Sequence, residues 1–413
     1  MISINTPRLR LRALTFAIAA AALLPAAMVN AQTVNTVAGN GSFNFGGDGG
    51  PGTSAQLRAF GVAIDPTGNR YIADTFNYRI RKLTPGGVIS TVVGTGAYGS
   101  TGDGGPATAA SIRYVYRMAF DAAGNMYLPA YESHRIRKVT PSGIISTVVG
   151  TGVSGYSGDG GPATAAQISG PMAITFDGVG NMYFIDYDRQ YVRKVDTAGV
   201  ITTVAGNGLR GFSGDGGPAT AASTRDAFGL GATASGVLYL ADLSNHRIRR
   251  IGTDGVITTV AGTGVLGSNG DGGPATSAAI AFPHDVKPDA SGGFYIADTG
   301  GNKIRHVSST GLMRTFAGTG AQGFSGDGGP AIAATFYRPA GLAISGNTML
   351  LNDYSNARVR QISLFTSCAV SGLTGTKLTL CQKVCETTQP TATLTNLIKL
   401  YTAIYREAPP CGL

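Results

Sequence analysis

The stretch Gly158-Asp159-Gly160-Gly161-Pro162-Ala163 decides the fold, because it or a near copy occurs six times in the chain. The aspartates are Asp48, Asp103, Asp159, Asp215, Asp271 and Asp327, at successive spacings of 55, 56, 56, 56 and 56 residues. A fixed period of this length is the mark of a repeat architecture. Between two copies the residues fall into four short β patterns. Gly61-Val62-Ala63-Ile64 is apolar and ends at the turn formers Asp65-Pro66-Thr67-Gly68-Asn69, and Arg70 to Ala73 follows. Arg79-Ile80-Arg81-Lys82-Leu83 alternates with period two, and Val88 to Val93 is rich in β-branched residues. Pro106 followed by Ala-Thr-Ala-Ala predicts one or two helical turns in each connection.

Four antiparallel strands repeated radially describe the blades of a β-propeller. The third strands are marked by Arg81, Arg137, Arg193, Arg249, Arg305 and Arg360, which predicts six blades. The strand Thr33 to Ala38 precedes any first strand, and Arg338 to Ser363 lacks a fourth. The N-terminal strand is therefore expected to close the sixth blade and remove an exposed edge. The expected fold class is an all-β six-bladed propeller of four-stranded blades over residues 32–365.

Two flanking segments differ. Residues 1–31 combine Arg8, Arg10 and Arg12 with an Ala/Leu-rich run and Val29-Asn30-Ala31, a signal peptide with cleavage near Gln32 or, alternatively, a retained anchor. No later stretch is long and apolar enough to span a membrane. Loss of the three arginines lowers the formal charge from +9 to +6, a modest basicity that, in an exported chain, does not call for nucleic acid. Residues 366–413 hold Cys368, Cys381, Cys385 and Cys411, expected as two disulfides in an oxidising compartment. A helix is predicted there from Leu394, Leu397, Ile398, Tyr401, Ile404 and Tyr405. The chain is expected to be secreted or periplasmic.

The units Asn69-Arg70-Tyr71-Ile72-Ala73-Asp74 with Asn77-Tyr78-Arg79-Ile80-Arg81-Lys82, and Asn181-Met182-Tyr183-Phe184-Ile185-Asp186 with Val192-Arg193-Lys194, resemble NHL repeats over residues 33 to 363. Those with the Gly-Asp-Gly-Gly-Pro-Ala connection are similar to repeats of exported bacterial NHL proteins and of the teneurin propeller. The resemblance implies a six-bladed propeller; the family includes RNA-binding, protein-binding, sensor and a few lyase or hydrolase members, so it implies no single activity.

Strand order places the long connections on one face with the turns after Asp74, Asp186, Asp242, Asp298 and Asp353, and the Pro-Gly turns on the other. The six loop aspartates are read as structural, accepting hydrogen bonds from the amides of their own Gly-Gly turns and the helical start that follows. The third-strand arginines are read as pairing with the second-strand aspartates, with Ala130 leaving Arg137 to find another partner. Calcium or another divalent metal on the carboxylate rings is the weaker reading, and no cofactor is expected. No nucleophile elbow is present, the glycine-rich loops lack a phosphate-binding lysine, and the four histidines do not converge by register.

Departures from the repeat are more informative. The positions equivalent to Gly61 read Gly61, Arg117, Ala173, Gly229, Asp285 and Gly341, with Tyr116 and His284 before the two charged members. Tyr116, Arg117, His284 and Asp285 are expected at the mouth of the central tunnel, as a polar site or as a tunnel-spanning ion pair. Tyr131, Glu132, Tyr187, Asp188 and Arg189 form a second irregular patch suited to a sugar or a protein partner. The expected function is an exported, non-enzymatic scaffold presenting its long-loop face to a protein or glycan of the cell envelope or extracellular space. A lyase or hydrolase with a divalent metal at the tunnel mouth is the alternative.

Overall fold

The computed structural model of the protein describes residues 32–364. The predicted signal segment, the four cysteines and the predicted C-terminal helix lie outside the described residues. Within them are six four-stranded antiparallel sheets, five with their strands in chain order and the sixth completed by the N-terminal strand, which makes the chain a six-bladed β-propeller. Blade one consists of Gly61–Ile64, Arg70–Asp74, Arg79–Leu83 and Ile89–Val93. In blade six, Pro339–Ser345, Thr348–Asp353 and Arg358–Ser363 are joined by Val34–Ala38, which pairs antiparallel with the third strand.

The physical cause of each strand is visible in its burial. Along Arg79–Leu83 the side chains of Ile80, Arg81 and Leu83 are buried while Arg79 and Lys82 are half-buried, and the same pattern returns in every third strand but that of blade five. Apolar residues fill the spaces between neighbouring blades: Ile136, Ile168, Ile174, Phe184 and Ile201 form one such inter-blade core. Each helical expectation reduces to a single 3₁₀ turn of three residues, as at Ala107–Ala109. The next residue, Ala110, is already extended, because the chain must there turn back toward the axis.

Blade two departs most. Its first strand shrinks to Ala119–Phe120, and its second strand carries Pro129, whose nitrogen has no hydrogen to give the ladder. The displaced segment Ser111 to Met118 brings Tyr114, Tyr116 and Arg117 to the axis end of the blade.

Candidate functional site

The loop aspartates are placed differently from the sequence expectation. Each lies at the outer edge of the blade it precedes, with its carboxylate on the third-strand arginine at 2.5–2.8 Å in all six blades. In blades one, two, four and five a fourth-strand threonine hydroxyl donates to the same carboxylate at 2.5–2.6 Å. The amides of the Gly-Gly turn are used elsewhere: Gly49 N–H donates to Ile89 O, and Ile89 N–H to Gly50 O. The connection thus runs beside the outermost strand as an edge cover, and its aspartate faces the blade instead of its own turn. Asp48, Asp103, Asp159, Asp215, Asp271 and Asp327 keep 35–47 % of their side chains exposed, far from the axial mouth.

Every third-strand arginine is itself almost fully buried. Five of them also approach the second-strand aspartate, at 3.3–3.5 Å. In blade two, where Ala130 replaces that aspartate, Arg137 donates instead to Ser111 O at 3.1 Å. Burial outweighs the guanidinium and raises the second-strand carboxyls, to about 6 for Asp242 and Asp353 and about 7 for Asp186. Asp186 is raised further than Asp242 and Asp353 for a local reason. Asn77, Asn245 and Asn356 donate a side-chain N–H to the carboxylates of their blades at 2.8–2.9 Å. Blade three has Arg189 at that position, and Asp186 Oδ2 is left without a hydrogen bond. Phe45, Phe212 and Phe324, before the loop aspartates, serve as platforms for Arg79, Arg247 and Arg358 at 3.7–3.9 Å. Tyr156 stacks instead on Tyr191, with centroids 4.1 Å apart.

The axis holds the irregular residues. Arg117 and Asp285, expected at the tunnel mouth, lie below it: Arg117 is 3 % and Asp285 0 % exposed. Arg117 Nη1 donates to Phe60 O at 3.1 Å and Tyr116 O at 3.3 Å, and Nη2 to His284 O at 3.1 Å and Ala340 O at 3.0 Å. Its Nε stands 3.4 Å from Asp285 Oδ2. Asp285 in turn accepts from the amides of Val286 and Leu342, both at 2.9 Å, and pairs with Lys287 Nζ at 3.0 Å. One guanidinium therefore ties blades one, two, five and six, and the pair plugs the tunnel. Neither charge is presented to solvent at the mouth, so the polar site expected there is not formed by these two residues.

What stands above the plug is aromatic. Phe60 and Phe76 from blade one, Tyr116 and Tyr131 from blade two, Tyr187, Phe228, His284 and Tyr354 from the other four surround the mouth. Neighbouring centroids are 5.0–6.4 Å apart, mostly tilted or edge-on. Phe60 is buried and forms the floor; the other seven are half-buried. Arg117 lies under the rings of Phe60 and Phe228, 5.2 and 5.5 Å from their centroids. The two irregular patches of the sequence thus merge, since Tyr131 contacts both Tyr116 and Tyr187.

Tyr131 also donates to Asp188 Oδ1 at 2.8 Å, and Tyr98 is hydrogen-bonded to Glu132, whose carbonyl accepts from Arg113 at 2.7 Å. Asp188 and Arg189 are exposed on this rim. Within the mouth, Tyr116 is pushed up to about 12 and His284 down to about 4, both by burial. Burial thus favours the neutral form of both side chains. His284 Nδ1 lies 3.0 Å from Phe282 O, which fixes the neutral ring with its proton on Nδ1. Among the described residues no three or more His, Cys, Asp or Glu side chains gather to hold a metal ion.

Phe60, Phe76, Phe228 and Tyr354 were not singled out in the sequence, although a signal existed. The positions preceding the axial one read Phe60, Tyr116, Met172, Phe228, His284 and Ala340, aromatic rings in four of six.

The family model for the teneurin NHL domain matches residues 151–213. Teneurin-m of Drosophila melanogaster is 25 % identical over 352 residues, covering 76 % of this chain, and human teneurin-1 is 27 % identical over 380 residues, covering 80 %. The chain spans only 12–13 % of the length of these relatives. A protein of unknown function from Bacteroides thetaiotaomicron superposes with a TM-score of 0.60 at 17 % identity, covering 81 % of this chain and 76 % of that one. A structure from the same organism described as an auxiliary nutrient binding protein gives 0.59 at 16 %, covering 80 % and 76 %. At such identities the structures share the fold. With the six blades, the in-register repeat residues and the teneurin relatives together, the chain is similar to the NHL-repeat β-propellers.

Proposed function

We propose that the protein is an exported, non-enzymatic binding scaffold whose long-loop face receives a glycan or a protein segment of the cell envelope or extracellular space in the aromatic mouth. The observation that carries this reading is the convergence of eight rings from all six blades on one opening. The repeat does not require aromatic residues there, because Met172 and Ala340 occupy the same register in blades three and six. Half-buried tyrosines offer an apolar face for stacking and a hydroxyl for hydrogen bonding, the combination that suits sugar rings and the anchor residues of a protein partner. Glu132, Asp188 and Arg189 on the rim add polar selectivity.

Export rests on residues 1–31, and the same oxidising compartment would join Cys368, Cys381, Cys385 and Cys411 in two disulfides. Among the described residues no helix is long and apolar enough to cross a membrane.

A glycan array and a pull-down from envelope extract, run with the parent and with Tyr116→Ala and Tyr187→Ala, test the reading. Each variant should weaken the bound partner by ~2 kcal/mol, a factor of ~30. Val179→Ser, in the 74 % exposed turn between the first two strands of blade three, should leave binding unchanged. Undiminished binding by both tyrosine variants would place the partner elsewhere.

A further inference from the structure

Below the Arg117–Asp285 plug the axis is hollow again. A cavity of about 170 Å³ is lined by inner-strand residues, among them Val62, Met118, Ile174 and Leu342, and includes Arg117 and Lys287. The floor ring Phe60 and the Arg117 guanidinium separate it from the aromatic mouth. Its far end, at Ile64, Phe120 and Ile344, is half-buried and faces the side of the Pro-Gly turns.

Lys287 is not explained by the repeat. The equivalent positions are Ala63, Ala119, Thr175, Gly231 and Ala343, so five blades place a small side chain where blade five places a cation. Nor does Asp285 need it for neutrality, since Arg117 already supplies a positive charge. Lys287 Nζ donates to Leu230 O at 3.0 Å and meets Asp285 Oδ1 at 3.0 Å. An ammonium has three donors, so one remains. Two cations thus face one carboxylate around the cavity, which leaves one net positive charge beside the aliphatic side chains of its lining. A half-open cavity that combines aliphatic side chains with one net positive charge favours an anion that brings its own hydrocarbon.

We propose that this lower tunnel is a second binding site, distinct from the aromatic mouth, for a short aliphatic carboxylate whose head group meets Lys287 and whose chain lies against Val62, Met118, Ile174 and Leu342. The volume is well below the ~300–1,000 Å³ of drug-sized sites, which limits the ligand to a short chain.

Isothermal titration of the purified protein with sodium butyrate and hexanoate, against sodium chloride and sodium phosphate, reads the site directly. Saturable binding of the carboxylates, absent for both inorganic salts, is expected. Lys287→Met, which keeps the length and removes the charge, should weaken it ~10-fold or more. Ala343→Leu, which narrows the cavity and keeps every charge, should also weaken it, and Tyr116→Ala in the mouth should not. Circular dichroism melts establish that each variant is folded. No saturable heat from either carboxylate, or parental affinity in folded Lys287→Met, would overturn the proposal. Parental affinity in folded Ala343→Leu would also overturn it, since the ligand would then lie outside the cavity.

Discussion

Replacing Arg117 by methionine tests whether the axial pair is a strut. Methionine retains an unbranched chain beneath Phe60 and Phe228 but removes the guanidinium. Four main-chain carbonyls then lose a donor, and Asp285 loses one of its two cations. Removing one partner of a buried ion pair costs ~3–5 kcal/mol, because the other charge stays buried. Asp285 keeps Lys287 and the amides of Val286 and Leu342, which places the cost near the lower end, at ~3 kcal/mol. Urea unfolding followed by circular dichroism is the suitable assay, since the chain has no tryptophan. Asp285→Asn and the double variant complete a cycle, and the pair should show a coupling of ~1–3 kcal/mol. A loss below ~1 kcal/mol in Arg117→Met, or strict additivity in the cycle, would refute the reasoning.

Two further predictions follow from local geometry. Arg189→Asn supplies blade three with the amide that Asn77, Asn245 and Asn356 provide in theirs, and should stabilise the fold by ~1 kcal/mol. The sign of its pH dependence is determined: Asp186 is raised to about 7 in the fold, so the parent loses stability as pH rises from about 4 through 7. A new donor to the carboxylate reduces that loss, and the advantage of the variant should be greater at pH 8 than at pH 5 in urea titrations; an equal advantage at both would contradict it. Gly94→Ala and Gly104→Ala separate strain from clash. Both glycines have positive φ, 92° and 83°, but a Cβ on Gly94 would stand 2.3 Å from Tyr78 O whereas Gly104 has open space. Gly104→Ala should cost ~1 kcal/mol and Gly94→Ala clearly more, by thermal melts.

Much of the scaffold was legible because it is repeated. The third strand of blade one, Arg79–Leu83, and its first, Gly61–Ile64, have the bounds that alternation and turn residues predict. Six occurrences of the arginine in that strand give the blade count without any tertiary information. Local chemistry was less legible. The partner of Asp48 is Arg81, 33 positions away, and only the path of the connection beside the blade brings them together. The helical turns shortened to 3₁₀ for the same reason, since the backbone after Ala109 is needed for the return to the axis.

Sequence alone determined the period, the number of blades, the strands and the positions that break the repeat, because each is a property of spacing and alternation along one chain. Tertiary structure decided depth and company. Arg117 and Tyr116 are adjacent in sequence, yet one is buried under four carbonyl contacts and the other is half-exposed in the aromatic mouth. Successive residues of a strand point to opposite sides, but which side meets solvent depends on how six strands converge at the axis. The rings of Phe60, Phe228 and His284 come from blades one, four and five, and their contact exists only because the propeller closes.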